Sequence, residues 1–131
     1  MKCSICSKEI IGFGNNASPF NNERCCDDCN ENVVIPLRMY LSGLCKKQIL
    51  VLKPDNTLKF VDVKGKEVDL KTLQNEVEGY IELYPKNDKN FYFIINEEGK
   101  LRKLKQNALA MNIFKIEAVG NVVICPKRLF S

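Results

Sequence analysis

Four cysteines carry the clearest chemistry in this chain: they form two Cys-x-x-Cys pairs, Cys3 with Cys6 and Cys26 with Cys29. A Cys-x-x-Cys turn brings both sulfurs to one side, and four thiolates complete a tetrahedral shell around Zn²⁺. Because a complete shell leaves no position for a reactive water, the spacing predicts a structural zinc ion. A redox role is the weaker alternative, since two pairs at metal-binding spacing occur together.

Cys25 directly precedes Cys26 and is an alternative third ligand. We expect Cys26 to be the ligand because it keeps the two-residue spacing to Cys29. Cys45 and Cys125 lie among apolar residues and are expected to be small buried side chains.

The sequence contains no recognisable catalytic motif. The chain has no histidine, which is the commonest general base, and it lacks a phosphate loop, a dinucleotide fingerprint and a zinc-protease helix. We therefore predict that it is not an enzyme.

Seven cysteines, an odd number, suit a reducing compartment, and neither a signal peptide nor a membrane-spanning run is visible. We expect a cytoplasmic protein without a membrane partner.

Contact residues are expected in the loop between the cysteine pairs and beside it. These candidates are Gly12, Phe13, Gly14, Asn15, Asn16, Arg24 and Arg38. The loop is a recognition surface in one interpretation. In the other it is a tight turn whose asparagines bond to their own main chain.

A basic cluster supplies the remaining candidates, Lys100, Arg102, Lys103 and Lys105. If it converges with Lys127 and Arg128, the two groups could contact phosphates of a nucleotide or nucleic acid. A solvated lysine surface explains the cluster equally well, and the mild net charge of +4 does not decide between them.

The elements expected in residues 1–45 are a metal-binding turn with a short strand, a loop and a helix. The helix starts at Asp27, is kinked by Pro36 and ends at Ser42-Gly43. A helix whose first turn supplies the second cysteine pair favours a treble-clef-like module over a plain zinc ribbon.

Residues 46–131 are predicted to form a second unit, giving an α+β fold of ββαββ type with a C-terminal hairpin. Asp69 is the expected N-cap of its helix. The expected elements are strands Gln48–Lys53, Thr57–Val63, Tyr80–Tyr84 and Asn90–Ile95, helix Leu70–Glu78, brief pairing at Leu101–Leu104, a helical turn over Asn107–Asn112, and a hairpin of Ile116–Val119 with Val122–Cys125.

Both segments resemble proteins of mobile genetic elements. Residues 3–6, 12–17 (Gly-Phe-Gly-Asn-Asn-Ala) and 24–30 (Arg-Cys-Cys-Asp-Asp-Cys-Asn) are similar to a zinc-binding segment of small phage proteins. Residues 78–82, 96–101, 107 and 119–124 are similar to a family of uncharacterised domains carried by phages and conjugative elements. Such domains also occur in large mobile-element proteins with an inferred role against host defences.

The resemblance implies a phage or mobile-element protein that acts in the cytoplasm of its bacterial host. We expect it to inhibit a host defence system by binding a protein component, for example a CRISPR effector. Two alternatives stay open: a sponge that sequesters a nucleotide immune signal, and a nucleic-acid-binding zinc module. The sequence does not predict the oligomeric state.

Overall fold

A turn, a short hairpin and a long helix form the N-terminal part of the computed structural model, which describes residues 1–43, 47–99 and 101–130. Strands β1 (Asn15–Asn16) and β2 (Arg24–Cys25) pair antiparallel. The helix consists of α1 (Asp27–Cys29), a π-helical stretch (Asn30–Val34) and α2 (Ile35–Leu41). It begins at Asp27, as the sequence predicts.

Pro36 explains the change of helix type. A proline has no N–H, and its ring clashes with the carbonyl four residues earlier, so a regular α-helix is interrupted there. The chain adopts wider turns instead, and the N–H of Ile35 donates to the carbonyl of Asn30, five residues back. The disturbance expected at Pro36 is therefore a π-helical stretch just before it.

Five antiparallel strands form the larger sheet. They are β3 (Gln48–Leu52), β4 (Leu58–Asp62), β5 (Ile81–Leu83), β6 (Phe91–Asn96) and β7 (Val122–Pro126). Their order is β4-β3-β7-β6-β5, so the last strand of the chain lies in the centre of the sheet. The sequence predicts the first four of these strands to within one residue at each end.

Helices cover both faces of this sheet. One face packs against the N-terminal helix and α4 (Ala108–Phe114) in a buried cluster that includes Leu37, Leu50 and Phe93. The other face packs against α3 (Leu70–Val77) in a second cluster. Cys125 belongs to this second cluster and is fully buried, as expected.

Asparagine and aspartate side chains start the two helices that flank the sheet. The Asp69 carboxylate accepts a hydrogen bond from the N–H of Thr72 at 2.7 Å, so the predicted N-cap is confirmed. Asn107 caps α4 in the same way, accepting from the N–H of Ala110 at 3.0 Å. The helix after Asn107 ends at Phe114, two residues beyond the predicted turn.

The predicted C-terminal hairpin is wrong, because residues 116–119 do not form a strand beside β7. The N–H of Asn107 donates to the carbonyl of Ala118 at 2.9 Å, and Gln106 forms an isolated β-bridge with Val119. This segment therefore pairs with residues 105–107. β7 instead lies between β3 and β6.

Leu101–Leu104 is also not a strand, and the pairing predicted there is absent from the part of the chain that the structure describes. The N–H of Leu104 donates to the carbonyl of Gly99 at 3.1 Å, which closes a turn. The larger unit consequently has the order ββαββαβ instead of ββαββ with a closing hairpin.

The two predicted units share one hydrophobic core. Val33, Val34 and Tyr40 belong to the same buried cluster as residues of β3, β6 and β7. The hydroxyl of Tyr40 lies 2.9 Å from the Gln48 carbonyl oxygen and 3.3 Å from that of Ile124. The boundary predicted between residues 45 and 46 lies outside the described residues, as does Cys45.

Candidate metal centre and the loop beside it

The four cysteines of the two pairs come together in space. Their sulfurs all lie within 4.8 Å of one another, and the sulfurs of Cys6 and Cys26 are 3.8 Å apart. Four thiolates at about 2.3 Å from a central Zn²⁺ have sulfur–sulfur distances of about 3.8 Å, from the geometry of a tetrahedron. The cluster therefore has dimensions that suit a tetrahedral metal ion.

Two different local structures supply the ligands. Cys3 and Cys6 lie on a turn in which the N–H of Cys3 donates to the carbonyl of Lys8 at 2.8 Å and the N–H of Ser7 donates to that of Cys3 at 3.0 Å. Cys26 is the residue just before α1, and Cys29 is in that first turn. The β1–β2 hairpin between them brings the helix start back to the N-terminal turn.

The electrostatics of the cluster are compatible with a bound cation. Burial raises the pKa of Cys3, but the backbone N–H groups of Cys6, Cys26 and Ile5 outweigh it and lower this pKa to about 6. Burial and the neighbouring thiols raise the pKa of Cys29. One thiolate thus suppresses the ionisation of others, and a divalent cation is what allows several thiolates at this separation.

Cys25 lies outside the cluster. Its side chain is fully buried in the core, and its pKa is raised by burial first and by the nearby Cys3 and Cys26 second. The structure thus places Cys26 with the other three cysteines, and Cys25 among apolar side chains.

Arg24 and Arg38 hold the loop between the cysteine pairs. The guanidinium of Arg24 donates to the carbonyls of Phe13 and Gly14 at 3.0 and 2.9 Å. The guanidinium of Arg38 donates to the carbonyls of Ser18 and Asn16 at 2.8 and 3.0 Å. Both predicted contact residues therefore have a clear structural role.

The asparagines of the loop bond within the chain. Asn15 donates from its side chain to the Asp27 carboxylate at 2.8 Å, which ties the loop to the start of α1. The side chain of Asn16 accepts from the N–H of Ser18 at 2.9 Å. The bond of Asn16 fits the interpretation of an asparagine that bonds to its own main chain, whereas Asn15 bonds to a side chain on α1.

The tip of the loop is apolar and exposed. Phe13 is 89% exposed and Ile11 is 97% exposed. Gly12 between them has φ of 83° and Gly14 has φ of 72°, conformations that favour glycine. Ile11 is not among the predicted contact residues, because an isoleucine side chain is ordinarily expected in the core.

The two basic groups do not converge. Arg102, Lys103 and Lys105 follow the end of β6, and the Arg102 guanidinium donates to the Glu78 carbonyl at 2.6 Å. Lys127 follows the end of β7, and its ammonium lies 5.2 Å from the ring centre of Tyr92. Since β6 and β7 are adjacent and antiparallel, their final residues point towards opposite ends of the strands, and the two basic groups are separated by the length of the strands. Lys100 lies outside the described residues.

Buried asparagines are structural residues that the sequence does not single out by pattern. Asn107 is fully buried and donates to the carbonyls of Leu52 and Gly120 at 2.8 and 2.9 Å. Asn96 is 4% exposed and donates to the carbonyl of Val77 at 2.9 Å. Their partners are distant in sequence, so only the fold reveals them.

Within residues 1–43, 47–99 and 101–130 no helix has the length and hydropathy that a membrane crossing requires.

Comparison with known proteins identifies the larger unit. No curated protein and no solved structure matches the chain. A family model described as "Domain of unknown function (DUF3846)" matches residues 46–128, which is more than half of the chain. The chain therefore belongs to the DUF3846 family.

Proposed function

We propose that this protein is a zinc-stabilised binding protein that contacts another protein through the loop tip Ile11–Phe13. The observation that carries the proposal is the exposure of Ile11 and Phe13, 97% and 89%, on a loop that is held in place from both sides. Large exposed apolar side chains on an ordered loop are typical of protein contacts.

Zinc is the proposed metal, and its role is structural. Four sulfur ligands on a turn and a helix start suit Zn²⁺ in a treble-clef-like arrangement. A four-sulfur shell has no open position for a water molecule, so the ion fixes the N-terminal turn against α1 and does not react. The loop tip depends on this ion because both of its ends are attached to metal-binding elements.

The proposed partner is a host defence protein, for example a CRISPR effector, in the cytoplasm of a bacterium. The support for this class of partner is the resemblance of the cysteine segment to small phage proteins and of the larger unit to domains of mobile elements. Inhibition would follow from occupying a surface of the partner, with no catalytic step.

Phosphate-based alternatives have less support. A nucleotide sponge or a nucleic-acid-binding module needs basic side chains that converge on one surface. Here Arg102 and Lys127 follow opposite ends of the adjacent strands β6 and β7. The rings of Phe91 and Phe93 both pack on Phe114, and Phe93 is buried. Among the described residues, Lys89, Lys127 and Arg128 line a cleft with Tyr40 and Phe91, but the basic group that includes Arg102 and Lys105 is not part of it.

The test is a comparison of two aromatic substitutions in affinity capture from lysate of a defence-competent bacterium. Phe13→Ser removes the loop tip, and Tyr80→Ser is the matched control because Tyr80 is 66% exposed and lies in the larger unit. We expect a defence protein to be retained by the wild-type protein and by Tyr80→Ser, and to be lost with Phe13→Ser. Equal retention by the zinc-loaded Phe13→Ser protein would refute the loop as the contact.

A further inference from the structure

A cleft with a volume of about 420 Å³ lies at the β5 side of the larger sheet, far along the chain from the cysteines. Its floor is formed by Glu82, Tyr84 and Ile95. Glu82 lies directly opposite Ile95 in the strand pairing, and the N–H of Tyr84 donates to the carbonyl of Phe93 at 2.8 Å. Paired residues share a face of the sheet, so these three side chains lie on the same face.

The opposite wall is the segment that was predicted to be a strand. Residues 117–119 run over the sheet here, and the N–H of Glu117 lies 3.3 Å from the hydroxyl oxygen of Tyr84. Leu101 closes one side and is 84% exposed. The cleft therefore has apolar walls from Ile95, Leu101 and Val119, with the Tyr84 ring between them.

The charged side chains that line the cleft are all acidic. Glu82, Glu97 and Glu117 all line it and are all exposed, and none of the described lining residues is basic. Among the described residues none of these three carboxylates forms an ion pair. In a protein with a net charge of +4 this is a locally acidic site, with apolar surface between its charges.

We propose that this cleft binds an arginine side chain that a protein partner presents on an extended segment. The aliphatic part of an arginine can cover Ile95 and Val119 while its guanidinium reaches carboxylates at the rim. The Tyr84 ring offers a face for the same cation. A purely apolar side chain would leave the carboxylates unused, and an anion would be repelled.

We propose an extended partner segment because the cleft lies beside β5, an edge strand of the sheet. β5 is the last strand of the sheet, and no described strand pairs with its outer side. The backbone N–H and carbonyl of Glu82 face β6. Because these groups alternate in direction along an antiparallel strand, those of Ile81 and Leu83 face away from the sheet, at its open edge. A strand added at this edge can place one side chain over the cleft.

This inference extends the proposed protein-binding function by a second contact, which is independent of the loop tip. A direct titration separates the two. The zinc-loaded full chain, labelled with ¹⁵N, is titrated with the end-blocked tripeptide Val-Arg-Val while amide shifts are recorded. The matched probe is the same peptide with citrulline, which has the shape of arginine but no charge.

We expect weak binding of the arginine peptide, with shifts concentrated at Ile95, Ala118 and Val119. The citrulline peptide should bind at least about fivefold more weakly because it loses the charge that faces three carboxylates. Glu82→Gln and Glu117→Gln should each weaken the arginine peptide about two- to fivefold. Glu31→Gln, on the N-terminal helix, is the control and should have no effect.

Three results would overturn the proposal. They are equal binding of the arginine and citrulline peptides, shifts that map away from the cleft, and no shifts at peptide concentrations up to about 10 mM. None of them bears on the loop tip, whose test is the loss of a captured partner in Phe13→Ser.

Discussion

The side-chain amide of Asn56 donates to the carbonyl of Ile5 at 2.7 Å. Asn56 lies in the turn between β3 and β4 and has a φ of 66°. Ile5 lies between Cys3 and Cys6, in the turn that supplies half of the metal ligands. This one bond joins the metal-binding turn to the larger sheet, and the shared core adds apolar contacts to it.

Removing the metal should therefore destabilise the whole chain and not only its first part. Treatment with a strong zinc chelator is expected to lower Tm by more than about 10 °C, since loss of the ion leaves four thiols packed together and loosens the N-terminal helix. Hydrogen exchange followed residue by residue is the measurement. Protection should fall in β3 as well as in α2, whereas unchanged protection in β3 would show that the two units unfold separately.

Serine substitutions at the adjacent cysteines should have different effects. Cys26→Ser removes a ligand, so we expect the bound zinc measured after dialysis to fall well below one equivalent. Cys25→Ser should keep one equivalent. It should cost about 1–2 kcal/mol in the free energy of unfolding, because it places a hydroxyl in a fully buried apolar site. The opposite pattern would make Cys25 the ligand.

Zinc affinity should increase steeply with pH. The pKa values of Cys6 and Cys29 are raised, so both thiols carry protons at neutral pH before the ion binds. Their protons leave on binding, so affinity is lost as the pH falls and gained as it rises. Titration calorimetry in buffers of different ionisation enthalpy counts these protons. We expect two or more at pH 7, and a count of zero would contradict a thiolate site.

The local elements of this fold can be predicted from the sequence, whereas the long-range contacts between them cannot. Asp69 before an amphipathic run identifies the start of α3 because an N-cap bond spans only three residues. The spacing of Cys26 and Cys29 likewise identifies the metal cluster. In contrast, Val122–Pro126 has the same apolar character in a hairpin as in a central strand. In the structure its neighbours are β3 and β6, and the segment before it pairs with residues 105–107 instead.

The acidic cleft and the hydrogen bonds from Arg24 to the loop also depend on long-range contacts that the sequence does not predict. Glu82, Glu97 and Glu117 are 15 or more residues apart in the sequence and meet only because β5 pairs with β6 beneath residues 117–119. Arg24 looks like a contact residue in the sequence, yet its hydrogen bonds go to loop carbonyls. A positively charged side chain beside a glycine-rich loop has the same sequence pattern whether it contacts a partner or holds the loop.

Asn107→Ala should be among the most destabilising polar substitutions in the chain. The change removes a helix cap and leaves the buried carbonyls of Leu52 and Gly120 without their donor. We expect the free energy of unfolding in urea to fall by about 2–4 kcal/mol. Asn112→Ala is the control, because the Asn112 side chain donates to the Ala108 carbonyl within α4 and caps no helix, and it should cost less than about 1 kcal/mol.

Arg24→Ala should loosen the loop tip without removing it. The guanidinium of Arg24 fixes the carbonyls of Phe13 and Gly14, and the two glycines leave that segment free to move when the bonds are lost. The ¹⁵N order parameters of residues 12–14 should drop from values typical of ordered backbone to below about 0.6. Lys8→Ala, at an exposed neighbouring position, should leave them unchanged.

Partner affinity should fall less in Arg24→Ala than in Phe13→Ser, because the contact side chain remains and only its ordering becomes costly. If Arg24→Ala left the loop rigid but abolished capture, Arg24 itself would be the contact and the tip would not.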